Sequence, residues 1–349
     1  MTAKTAFLSA IPAKTAFLSA IPAALVAAVL AACSPAEQNA SPADGASAPA
    51  AAETKKVSVT AIADHPALDT IRAGVIDGLK TEGFEEGRNL VIDFQSAQGS
   101  TANAAQIAKK FAGDQPDAIV AITTPSAQAA AAATKTVPVI FTAVTDPVAA
   151  KLIANFEPSG SNIVGVSDEL PVGPQIDLMK QLVPNLKTIG YVYSPGEVNS
   201  VTVLERLKAK AAEQGLQVAE APAARSADVL TAARSLGGKA DVIFTSLDNN
   251  VVSAYESMYK ASVEMKIPLV ASDADSVTRG AVAALGMDSF GTGQQAGRLA
   301  AAVLKGKKPG DLPSEKLDSL ELYLSKKHAA ALGIALPEAL LKTAKEVKE

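Results

Sequence analysis

The sequence predicts an α/β protein of two doubly wound parallel-sheet lobes, and three observations carry that prediction. From Val57 onward, short β-rich runs alternate with amphipathic helices at a spacing that implies βαβ units. The rhythm breaks at "IVGVSDELPVG" (163–173), where the chain is expected to leave the first lobe. The two halves also echo each other. Asp117 opens "DAIVAIT-TPSAQAAAAATK-TVPVIFTAVTDP", and Asp241 opens "DVIFTS-LDNNVVSAYESMYKASVEMK-IPLVASDAD". Each unit runs aspartate, buried strand, polar turn, helix ending in lysine, strand begun by proline, acidic turn.

In order, the first half reads as strands at 57–62, 89–95, 117–123 and 137–147. The helices between them run through "ALDTIRAGVIDGLKTEG", "TANAAQIAKKFAG" and "PSAQAAAAATK". After the break come "TIGYVYS", a helix after Asn199, "LQVAEA", "DVIFTSLDNN", a long helix, "IPLVASDAD" and "AVAALGM". Open parallel sheets bind ligands beyond the carboxyl ends of their strands. The candidates at those ends are Thr123, Thr124, Ser126, Gln128, Thr145, Asp146, Glu197, Asn199, Ser200, Asp248, Asn249, Asn250, Ser272 and Asp273.

"TTPSAQ" ends a strand and starts a helix, with Pro125 suited to the first turn. Its free N–H groups suit a carboxylate or phosphate, and simple capping by Thr124 fits equally well. "DNN" and "SDAD" put carboxylates at the equivalent turns of the second half, where Asp248 or Asp273 could meet an ammonium or merely shape the turn. Tyr193, Phe141, Phe244 and Phe290 lie at or near strand ends, open to a side-chain pocket or the core. His65, after the first strand, fits either a cleft or a solvated or capping role. "GTGQQAG" (291–297) matches a dinucleotide fingerprint, but "MDSF" separates it from the strand, so it reads as a helix start.

Composition narrows the function classes. The single cysteine of 349 residues, Cys33, can form no internal disulfide and has no metal partner nearby. It ends an apolar run, "AALVAAVLAA" (23–32), preceded by Lys4 and Lys14 without an acid. Leu30-Ala31-Ala32-Cys33 therefore reads as a bacterial lipobox closing a signal peptide over 1–33, with Cys33 as lipidation site. The tandem "AKTAFLSAIP" (3–12 and 13–22) lies in that leader and is too short a period to be architectural. Residues 34–56 lack aromatic and branched aliphatic side chains and read as a flexible tether. Processing would leave 317 residues with 30 basic and 36 acidic groups, a net charge of −6 that argues against nucleic-acid binding. No later apolar run reaches the roughly 18 residues of a membrane span. No G-x-S-x-G, H-E-x-x-H or P-loop occurs, and the only histidines, His65 and His328, lie in opposite halves. No enzyme, metal or cofactor is expected.

From "ADHPALDTIRAG" to "YLSKKHAAALGI" the chain resembles the bacterial ABC transporter substrate-binding proteins of the tryptophan/tyrosine-binding type. The blocks that carry the resemblance are "HPALD", "EGRNLVIDFQSAQG", "DAIVAITTPSAQAAA", "PVIFTAVTDPVAAKL", "PNLKTIGYVYSPGEVNS", "LDNNVV" and "IPLVASD". Asp64 before "HPALD" and Ser194 before the "PGE" turn depart from its usual pattern.

The resemblance implies a type I periplasmic-binding-protein fold: residues 57–168 with 288–315 as one lobe, 169–287 with 316–349 as the other, closing about a hinge. It further implies a small ligand (an amino acid or related molecule, aromatic in one reading), a permease and an ATPase as partners, and a lipid-anchored extracytoplasmic place in the bacterial envelope. An α/β lyase or hydrolase would instead show turnover. A ligand-sensing domain would lack adjoining transporter genes.

Overall fold

The computed structural model describes residues 54–317 and 319–349. The leader, Cys33 and the linker up to residue 53 lie outside the described residues. In chain order the strands are β1 (Lys55–Ala61), β2 (Leu90–Ser96), β3 (Ala118–Ile122), β4 (Val139–Val144), β5 (Ile163–Ser167), β6 (Thr188–Tyr193), β7 (Gln217–Pro222), β8 (Val242–Thr245), β9 (Leu269–Ala271), β10 (Ala283–Gly286), β11 (Glu315–Lys316), β12 (Glu321–Ser325) and β13 (Glu346–Lys348). They form two sheets, ordered β11-β5-β4-β3-β1-β2 and β13-β12-β10-β9-β8-β6-β7. The first is parallel throughout. The second is parallel except where β12 runs against β10, a reversal the strand–helix pattern did not announce.

The two sheets repeat one topology, 2-1-3-4-5 against 7-6-8-9-10, and the opening aspartates show why. The Asp117 carboxylate accepts from Lys56 N–H at 2.8 Å, at the foot of the neighbouring strand. Asp241 does the same with Lys187 and Thr188 N–H, both at 2.8 Å. Each aspartate satisfies N–H groups where a strand begins, fixing the order of the central pair. β1 also includes Lys55 and Lys56, paired with Leu90 and Val91 of β2, although both lie in the stretch 34–56 that reads as a tether.

Alternate residues of the central strands fill apolar layers on both faces of each sheet. The helix Pro66–Thr81 packs along the helix Ser289–Leu304 on the first sheet. A Cβ on Gly293 would fall 2.0 Å from the Ile71 carbonyl, and one on Gly297 2.3 Å from that of Val75. The glycines of "GTGQQAG" thus let two helices touch backbone to backbone. The chain passes between the sheets three times: from Ser167 to Val172, from Gly286 to Ser289, and from Lys316 to Glu321. Among the described residues no helix is long and apolar enough to cross a membrane.

Candidate functional site

The carboxyl ends of both sheets meet over a shared cavity, the place where open parallel sheets bind ligands. From the first sheet's side come His65, Thr123, Thr124, Ala143 and Asp168; from the second come Asn199, Asp248, Asn249, Ser272 and Asp273. Ala67, Leu68, Ile71, Leu247, Val252 and Met287 supply aliphatic surface. No lysine or arginine is among its lining residues.

Buried polar atoms are normally hydrogen-bonded. Among the described residues fourteen buried side-chain atoms have no protein partner, and six of these are on cavity-lining residues: His65 Nδ1, Thr123 Oγ1, Thr124 Oγ1, Asp168 Oδ1, Asn199 Oδ1 and Ser272 Oγ. The backbone on the first sheet's side is strained as well. Thr123, which precedes the helix Thr124–Ala133, sits at φ 85°, ψ 156°, a region otherwise left to glycine. Ala143 has φ 53°, where the pairing of β4 with β5 shifts register.

The second sheet's side is organised around Asp248. Its carboxylate accepts from Ser194 N–H (2.6 Å), the Ser194 hydroxyl (2.9 Å), the Ser200 hydroxyl (2.6 Å) and Val251 N–H (3.0 Å). Burial pushes its pKa up, and those bonds oppose the shift. Beside it, Glu197 Oε2 accepts from Asn249 N–H, Asn249 Nδ2 and Asn199 Nδ2. Burial first, and the nearby Asp248 charge second, push Glu197 up to about 7. Asp273 accepts from Ser276 N–H and its hydroxyl.

Asp168 is different. Burial pushes it up to about 6, a hydrogen bond from Thr145 offsets part of that, and Oδ1 remains bare. His65 is neutral, its pKa lowered to about 4 by burial and then by the positive charge of Arg279.

Thr123, Thr124, Asn199, Asp248, Asn249, Ser272 and Asp273 therefore lie on the cavity, as does His65. The other candidates stand behind it or away from it. Ser200 and Asn250 belong to the network around Asp248 and Ser194. Glu197 holds the two asparagines, and Thr145 supports Asp168. Ser126 is buried behind the Thr123 turn, and Gln128 donates to the Ala150 carbonyl. Asp146 lines a separate surface groove, paired with Arg206.

None of the four aromatic candidates lines the cavity. Phe141 and Phe244 point from their strands into the core, Tyr193 stacks on Tyr191, and Phe290 is exposed. Asp168 was missed. It stands at the end of β5, where the strand-end rule applies, but in the stretch read only as a lobe crossing.

Comparison with known proteins agrees with this geometry. A family model described as ABC transporter substrate binding protein matches residues 56–348. A tyrosine-binding protein of Clostridioides difficile is 41% identical over 278 residues, covering 80% of this chain and 81% of that one. The structure resembles an ABC domain from Streptococcus pneumoniae in complex with L-Trp (35% identity, 84% of this chain and 100% of that one, TM-score 0.82). It overlays less closely on a ligand-free, open substrate-binding protein with adhesive properties from Clostridium difficile (38% identity, 84% and 99%, TM-score 0.64). More distant solute-binding proteins share the type I periplasmic-binding fold. The chain belongs to the ABC transporter substrate-binding protein family, extracytoplasmic proteins that bind a small molecule for a permease and its ATPase rather than catalyse a reaction.

Proposed function

We propose that the ligand is a free amino acid, held between two lobes that correspond to the two sheets and close about their three connections. The observation that supports this best is the pairing, in one cavity, of bare acceptors with bare hydroxyls beside an aliphatic wall. Asp168 Oδ1 and Asn199 Oδ1 suit an ammonium. The hydroxyls of Thr123, Thr124 and Ser272, with the N-terminus of the ten-residue helix Thr124–Ala133, suit a carboxylate. Each ligand charge leaves water on binding and needs such a partner. The names of the tyrosine-binding relative and the tryptophan complex favour an aromatic side chain.

The closer overlay on the tryptophan complex than on the open, ligand-free relative favours a closed arrangement of the lobes. The lipobox reading places the lipid on Cys33, with the body tethered to the membrane.

Isothermal calorimetry against the twenty amino acids tests the ligand class. Saturable one-to-one binding of an aromatic amino acid is expected, and no heat from any of the twenty overturns the reading. Radiolabelled palmitate incorporation that persists in Cys33→Ser would overturn the anchor.

A further inference from the structure

We propose that His65 determines specificity for the ligand's side chain, selecting an apolar group that carries one hydrogen-bonding atom, of the phenol or indole kind. This rests on the amino-acid reading above. The other polar cavity groups stand at the ends of β3, β5, β6, β8 and β9 or, as Ser289 and Thr292, on the helix Ser289–Leu304, whereas Ala67, Leu68 and Ile71 follow His65 on its own helix. The imidazole is thus the polar group that this helix adds to the aliphatic wall.

Its local duties are already discharged without the ring. The His65 carbonyl accepts from Leu68 and Asp69 N–H at 3.0 and 3.2 Å, and its side chain makes no capping bond. The residue is buried, yet Nδ1 has no partner in the protein. Burial and Arg279 keep the ring uncharged, so it offers one N–H and one bare nitrogen. Such a ring can accept from a phenol O–H or an indole N–H. A site built to hydrogen-bond a ligand group discriminates strongly against the analogue lacking it, because its own polar atom is then left unpaired.

Calorimetry on two isosteric pairs tests this: tyrosine with phenylalanine, and tryptophan with 3-benzothienylalanine, in which sulfur replaces the indole N–H. Wild type should prefer the hydrogen-bonding member of at least one pair by about tenfold or more. In His65→Leu the ratio should fall to about threefold or less, through weaker binding of that member, while His65→Gln retains much of it. Melting curves on both variants establish that they fold. Equal binding within both pairs by wild type, or an undiminished preference in folded His65→Leu, overturns the assignment. Binding of none of the four by wild type overturns this inference, whereas the amino-acid reading falls only if none of the twenty amino acids binds.

Discussion

The turns after β3 and β8 occupy the same place in two sheets of the same topology, and they solve the start of a helix in opposite ways. After β8, Asp248 adopts an ordinary extended conformation and caps its helix through Val251 N–H, with three further donors filling its carboxylate. After β3, Thr123 makes no capping bond, holds a glycine-like backbone, and leaves its hydroxyl and that of Thr124 unpartnered. One turn spends its polar atoms on the fold. The other keeps them for whatever enters the cavity, and stores strain in doing so.

The sharpest way to break that contrast is Asp248→Ala. Two hydroxyls and two N–H groups would lose a buried acceptor, and each stranded donor costs about 1–3 kcal/mol. A stability loss of about 3 kcal/mol or more is expected in urea unfolding. Thr124→Ala, which removes a hydroxyl without a partner, should change stability by less than about 0.5 kcal/mol. Comparable losses from the two substitutions would show that the turns do not differ in this way.

Asp168→Asn probes the carboxylate that, unlike Asp248, has a bare oxygen. Truncating one partner of a buried charge pair costs about 2–5 kcal/mol, so amino-acid affinity should drop at least about thirtyfold. The unliganded fold should not weaken, since burial already disfavours this charge. Its pH dependence has a definite sign. A carboxyl raised to about 6 in the fold contributes stability below its ordinary value, and that contribution fades as pH rises through about 6. An ammonium ligand prefers the ionised form, so affinity should rise with pH through about 6 in wild type and not in Asp168→Asn. Parallel calorimetric titrations between pH 5 and pH 7.5 would reveal a common slope if Asp168 is not the partner.

The same contrast explains what was legible in the sequence. Strand–helix alternation and the paired units opened by Asp117 and Asp241 were enough to place the sheets, because the hydrophobic period is local. The fate of each polar turn residue was not. Ser200 and Asn199 are adjacent, yet Ser200 serves Asp248 while Asn199 lines the cavity with Oδ1 unpartnered. That split depends on a strand tens of residues away. Strand-end position alone left Phe141 and Phe244 open to a pocket or the core, and the alternation along their strands turns both into the core. β12 and β13 went unread because an edge pair added after a crossing leaves little periodic signal.

Thr123→Gly separates strain from recognition. Glycine adopts φ 85° without cost, whereas the threonine pays about 1–3 kcal/mol for it. Glycine's greater freedom in the unfolded chain returns roughly 0.5–1 kcal/mol. A net stabilisation of about 1 kcal/mol is therefore expected, together with a few-fold loss of ligand affinity from the missing hydroxyl. Destabilisation of the variant in thermal melts would mean the turn is not strained in solution.

The acidic turns after β4 and β9 extend the comparison to the smallest effect. Both aspartates fasten their own turn: Asp146 Oδ1 accepts from Val148 and Ala149 N–H, and Asp273 Oδ1 from Ser276 N–H. They differ in the second oxygen. Asp273 keeps it within its turn, on the Ser276 hydroxyl, whereas Asp146 Oδ2 meets Arg206 on the helix Val198–Glu213, which follows β6 of the second sheet. Arg206 also reaches Glu169 at 3.0 Å, in the segment between the sheets. Both pairs stand outside the cavity and are partly solvated, so together they would favour the proposed closure by only about 0.5–1 kcal/mol. Arg206→Met should speed ligand release by about two- to fivefold in stopped-flow measurements, with little change in the association rate. Added salt should speed release from wild type toward the variant's rate, since screening acts on the same pairs. Identical release rates at low salt would leave Asp146 as a turn former only, the counterpart of Asp273 in both of its oxygens.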